Sequence, residues 1–145
     1  MKNESNSSRA QVLFMIISED FSYLGLNEER KLLIYEPLTW KTFKKLPVDF
    51  SFALTIGLMA NLQKSDQIKM TFSSPDDEII SEYDVTTLFK EKMKDLEEGE
   101  TTGINGNFAI QVDSTIELEG IYKIQFFFNQ KLLHGQVLVV EESGD

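Results

Sequence analysis

Between residues 116 and 140 the chain reads IELEGIYKIQFFFNQKLLHGQVLVV, a turn glycine followed at once by strict alternation. Tyr122, Ile124, Phe126 and Phe128 fall on one face of a strand, and Lys123 and Gln125 on the other, because successive side chains of a pleated strand point to opposite sides. A two-stranded ribbon with one apolar face does not stand alone in water, so a second sheet has to cover it. The stretch predicts two packed layers of antiparallel sheet, a β-sandwich.

Other segments supply the remaining strands. AQVLFMII, residues 10 to 17, is an apolar run short enough for a strand and too short for a buried helix of usual length. KLLIY, 31 to 35, follows a turn at NEER, 27 to 30, and completes an N-terminal hairpin. EPLTWKTFKKLP holds two of the three prolines and reads as a connector, with Trp40 and Phe43 capping an open end of the core. From Asp49 to Leu58, Phe50, Phe52, Leu54, Ile56 and Leu58 alternate with Ser51, Ala53, Thr55 and Gly57, which predicts a long strand with one buried face. Ile68, Met70 and Phe72 keep the same period, SSPDDE at 73 to 78 turns the chain, and IISEY at 79 to 83 returns it antiparallel.

The period changes at Asp84. Val85, Leu88, Phe89, Met93 and Leu96 fall near one helical face, with Asp84 as N-cap and Gly99 at the C-terminal cap, so a helix is expected over about 85 to 98. EEGETTGINGN, 97 to 107, predicts a mobile loop, after which Phe108, Ile110 and Val112 resume the alternation. The expected architecture is a mainly β, antiparallel sandwich of about seven or eight strands, with one short helix inserted between strands. It occupies residues 10 to 140, between a disordered polar tail at 1 to 9 and a frayed acidic end at 141 to 145.

A chain of 145 residues is long enough to bury one core, and its eleven Phe argue against global disorder. Without cysteine there are no disulfides or thiolate metal sites, which suits a reducing compartment and predicts a cytoplasmic protein. A net charge of -10 disfavours direct nucleic-acid binding and an anionic membrane surface. No segment reaches the roughly 20 apolar residues of a membrane span, and MKNESNSSR lacks the apolar core of a secretory signal.

Leu118, Gly120, Tyr122 and Ile124 carry the spacing of a tyrosine corner, in which a Tyr near the start of a strand hydrogen-bonds back across the arch leading into it. Ile124 stands where antibody domains place a cysteine. With VLFMIISEDFSYLGLNEERKLLIY, the Leu46-Pro47 step, the long alternating strand, the hairpin around SPDDE and GIYKIQFFFNQKLLHGQVLVV, the chain resembles a bacterial family of small immunoglobulin-like sandwich proteins of unknown function. The resemblance spans about residues 10 to 140 and implies the fold, but no site residue. The helix and the loop after it look longer than is usual in such proteins.

Catalytic constellations are missing from the pattern. The single imidazole, His134, falls inside the last strand; a two-residue turn at Asn129 and Gln130 sets it opposite Gln125 on the outer surface of the hairpin. One His and no Cys leave only carboxylates for a metal. Asp76, Asp77 and Glu78 lack the spaced oxygen ligands of a calcium loop, and Glu91, Lys92 and Lys94 break the Glu-x-Lys spacing of a magnesium nuclease. Gly103 and Gly106 do not sit between a strand and a helix, as a phosphate loop requires. The sequence predicts no enzyme, no cofactor and no metal.

What lacks an explanation is the outer face of the terminal hairpin. In the same register Phe127 pairs with Leu132 and Ile121 with Leu138, all pointing away from the core side, so either the helix or another chain covers them. Ile121, Phe127, Leu132 and Leu138 are therefore the candidate protein-binding residues, and the expected function is a non-catalytic module that holds a protein partner or its own copy. The alternative is an acidic inhibitor or nucleic-acid mimic of phage or mobile-element type. It rests on the charge excess, including Glu97, Glu98, Glu100, Glu141, Glu142 and Asp145.

Overall fold

The computed structural model describes residues 9 to 24 and 31 to 144, which form nine strands and one short helical connector. Four strands make one sheet in the order β2-β1-β4-β7: β1 (Ala10–Leu24), β2 (Lys31–Pro37), β4 (Val48–Leu62) and β7 (Thr102–Ile116). The second sheet has the order β3-β9-β8-β5-β6, from β3 (Trp40–Phe43), β5 (Ile68–Ser73), β6 (Ile79–Asp84), β8 (Gly120–Phe128) and β9 (Lys131–Glu142). Neighbours run antiparallel except β3, which lies parallel to the end of β9. With β8 between β9 and β5, and β4 beside β7, the arrangement is an immunoglobulin-like β-sandwich. The expected tail apart from Arg9, the NEER turn and Asp145 lie outside the described residues.

The alternation read from the sequence builds the core. Phe52, Leu54, Ile56 and Leu58 of β4 face Ile68, Met70 and Phe72 of β5 and Tyr122, Ile124, Phe126 and Phe128 of β8, all essentially inaccessible. Where antibody domains join the sheets by a disulfide, this chain runs a file of rings: Phe43 on Phe50, Phe50 on Phe52, Phe52 on Phe72 and Phe72 on Tyr122, with centroids 5.1 to 5.6 Å apart. The tyrosine corner is formed. The Tyr122 hydroxyl donates to the Leu118 carbonyl at 2.7 Å, while burial pushes its pKa upward. Gly120, at φ 136°, lets the arch pass so close to Pro75 that a Cβ there would lie 2.8 Å from Pro75 Cγ.

At one end of the sandwich a polar clasp ties both sheets together. Arg9 reaches Asp66 with two nitrogens, at 2.8 and 3.1 Å, while the Gln63 amide at 2.6 Å and the Asn129 side chain at 2.9 Å donate to the same carboxylate. Arg9 also lies over the Phe128 ring, 5.1 Å from its centroid. Although burial raises the pKa of Asp66, the donors outweigh it and hold the carboxyl below its ordinary value.

Several expectations are corrected. The helix over 85 to 98 shrinks to a 3-10 helix, Val85–Phe89, followed by a single α-turn, Lys90–Met93. Asp84 does cap it, bonding the Thr86 amide and hydroxyl, and the Thr87 hydroxyl bonds the Asp84 carbonyl. Those local bonds and the β-branched run Val85-Thr86-Thr87 disfavour a longer helix. The loop expected through residue 107 is instead strand from Thr102 onward, because β4 extends to Leu62 and its backbone groups need partners. Trp40 does not cap the core; it is 53% exposed on an edge strand that the sequence reading missed, and its indole donates to Glu141. β4 is buried on both faces around Ala53, Thr55 and Gly57 rather than on one, with the Phe14 ring lying where a Gly57 side chain would project.

Candidate binding surface

The terminal hairpin folds around Asn129 and Gln130, both with positive φ (49° and 70°), as a two-residue turn between right-twisted strands requires. Pairing starts in the expected register, with Phe128 opposite Lys131 and Phe127 opposite Leu132. The register then slips by one at Leu133, and Phe126 faces His134. Every later assignment on β9 moves to the other face. Leu138 lies opposite Tyr122, fully buried, so it is removed from the candidate surface, and Ile121 faces Val139 instead. His134 sits on the Phe126 side, half-buried, and Gln125 faces Gly135. The bulge brings Leu138 and Val140, rather than Val137 and Val139, into the core.

Ile121, Phe127 and Leu132 remain on the outer face. Ile121 and Leu132 are 53% and 49% exposed, while Phe127 is half-buried. The helical connector does not cover them: its contacts run to β5, and its Phe89 packs edge-on against Phe108 of β7. Beside Phe127 the face hollows into a groove of about 520 Å3 across β8, β5 and β6. Cross-strand rows line it: Phe127 with Lys69, Gln125 with Thr71 and Glu82, and Lys123 with Ser73 and Ile79.

The floor is unusual in being both polar and covered. Thr71 and Ser73 are each 5% exposed, and among the described residues no protein group hydrogen-bonds their hydroxyls or the Gln125 amide. The groove's charges are internally matched, Lys69 to Glu82 and Lys123 to Asp77, both at 2.7 Å. Such a surface can offer hydroxyl and amide hydrogen bonds beside an apolar ring, but it presents no nucleophile with a neighbouring base. Sequence reading missed this set because alternation only labels Lys69, Thr71, Lys123 and Gln125 as facing away from the core, and Ser73 reads as the start of a turn. The concavity arises from the twist of three strands, which periodicity does not encode.

The other sequence candidates are scattered. Asp76, Asp77 and Glu78 are exposed on the β5–β6 turn, where the Ser74 hydroxyl accepts from the Asp76 and Glu78 amides. Glu91 pairs with Lys94 on the helical turn. No group of three or more His, Asp or Glu side chains that could hold a metal occurs among the described residues, and no described helix is long and apolar enough to cross a membrane.

No family model matches the sequence, and no match was found among curated proteins. Solved structures similar in shape include an immunoglobulin-like protein from Pseudomonas aeruginosa, at 11% identity and TM-score 0.45 over 91% of this chain and 96% of that one. Another is the C-terminal domain of wzt, at 9% identity and TM-score 0.43 over 93% of this chain and 75% of that one. An alkylpurine DNA glycosylase from Pseudomonas fluorescens, bound to DNA containing an abasic site analog, has 4% identity and TM-score 0.42 over 92% of this chain and 30% of its own. The fold assignment rests on the strand order and register, which make this chain an immunoglobulin-like β-sandwich.

Proposed function

We propose that this chain is a non-catalytic recognition module that seats a protein partner on the outer face of its five-stranded sheet. The observation that supports this reading is the groove beside Phe127, at whose floor the hydroxyls of Thr71 and Ser73 have no hydrogen-bond partner among the described residues, flanked by the exposed Ile121, Leu132 and Val137. Apolar anchors beside polar groups not engaged within the chain are what a partner's side chains and backbone can complete. The mimic reading gains nothing from this groove, because its two acids, Glu82 and Asp77, are each tied to a lysine. Affinity purification from the native cell, with the parent and Phe127→Asp in parallel, tests the proposal. A protein retained by the parent and lost from the folded variant supports it; the same proteins retained by both refute it.

A further inference from the structure

Each sandwich sheet has two edges, and three of the four edge strands carry the usual devices against pairing. β2 ends in Glu36 at φ 53° and then Pro37; β3 is only four residues long; β6 is six residues, bears Glu82 and Asp84, and meets β5 through a bulge. β7 has none of them. It is fifteen residues long, keeps an unbroken register with β4, contains no proline, and has no charged residue from Thr102 to Val112. We infer that β7 is a pairing edge, and that its occupant is the β7 of a second copy of this chain, run antiparallel across a two-fold axis.

Among the described residues no strand pairs with the far side of β7, and the free backbone groups there can be identified. The Ser81 hydroxyl donates to the Asp113 carbonyl at 3.0 Å from the opposite sheet, so that carbonyl faces away from β4. In an antiparallel strand alternate residues point the same way. Gly103, Asn105, Asn107, Ala109 and Gln111 therefore direct their N–H and C=O groups to the open side, and Ser81 ends the free run at Asp113. Centring the axis on Asn107 sets Gly103 opposite Gln111 and Asn105 opposite Ala109, which forms about ten backbone hydrogen bonds.

Charge selects the occupant. In a chain of net charge -10, a second copy is repelled wherever acids are exposed and can approach closely only where they are absent. A basic partner would instead be drawn to the acidic surface. An uncharged edge with small and amide side chains on its flank, in an otherwise acidic protein, fits self-pairing.

The intact chain is followed by light scattering from micromolar to millimolar concentration. The mass should rise from 16.6 kDa toward twice that value. Asn107→Lys, which sets like charges directly opposite each other across the axis, should weaken the dimer at least about tenfold. Phe127→Asp, on the other sheet, should leave it unchanged. Because the chain has no cysteine, Asn107→Cys should crosslink the dimer under mild oxidation, whereas Leu132→Cys should not. Should Asn107→Lys fail to fold, hydrogen exchange on the parent replaces it: the amides of residues 105, 107 and 109 should exchange more slowly in the concentrated sample. A mass constant at 16.6 kDa, exchange independent of concentration, or a dimer lost in Phe127→Asp and kept in Asn107→Lys overturns the inference.

Discussion

Asp66→Asn tests how much of the domain's stability the polar clasp supplies. The carboxylate is nearly inaccessible, with 3% of its side chain exposed, and it accepts from Arg9, Gln63 and Asn129. Removing one partner of a buried ion pair costs about 3 to 5 kcal/mol, but Arg9 keeps 19% exposure and can turn toward water, so the lower end applies. Asparagine retains one acceptor oxygen and turns its NH2 against the remaining donors. A loss of about 2 to 3 kcal/mol at pH 7 follows, or roughly 5 to 10 °C in Tm for a domain of this size. The pH dependence has a fixed sign. The folded pKa of Asp66 is depressed, so its contribution is complete above the unfolded carboxylate pKa of about 3.9 and is lost as pH falls through the folded value. Urea denaturation at pH 7 and at a series of acid pH values should show the gap between parent and variant full above about pH 5 and closing below about pH 4. A gap under about 0.5 kcal/mol at pH 7, or one that does not close in acid, would refute the clasp as described.

Tyr122→Phe removes the bond to Leu118 and should cost about 1 kcal/mol, whereas Tyr122→Ala also empties the ring's site against Phe72 and should cost about 3 to 5 kcal/mol. Two chemical denaturation curves within a few tenths of a kcal/mol of the parent would place Tyr122 outside the core. Thr55→Val should stabilise the protein by about 1 kcal/mol, since the buried Thr55 hydroxyl has no hydrogen-bond partner among the described residues; a lowered Tm would show that the hydroxyl is satisfied in solution.

Period-two alternation makes the core legible in the sequence itself. Phe50 to Leu58, Ile68 to Phe72 and Tyr122 to Phe128 all point where the sequence places them, because a strand against a core must alternate. What sequence could not convey was backbone pairing without an apolar signal. Thr102 to Asn107 looks like loop chemistry, with Gly103, Gly106 and two asparagines, yet it pairs with β4 residue by residue. The bulge at Leu133 is a second case: one unpaired residue between Leu132 and His134 inverts Leu138 and His134 and leaves no compositional mark. The groove was illegible for a third reason. Thr71 reads as a residue facing away from the core and Ser73 as the start of a turn, and only the neighbouring strands show that they are covered.

The clasp and the β3–β9 ladder lie at opposite ends of the sandwich. Arg9 immediately precedes β1 and lies beside the turn at Asn129, while Glu142 ends β9 beside Phe43. Tension applied between Arg9 and Glu142 would therefore run along the strands rather than across them. The hydrogen bonds of the β1–β4 and β8–β9 ladders would then be sheared together instead of parting one at a time as in an opening zipper. Held in a force instrument by those two positions, the domain should resist far higher loads than when held at Leu62 and Lys131, although its free energy of unfolding is the same in both geometries.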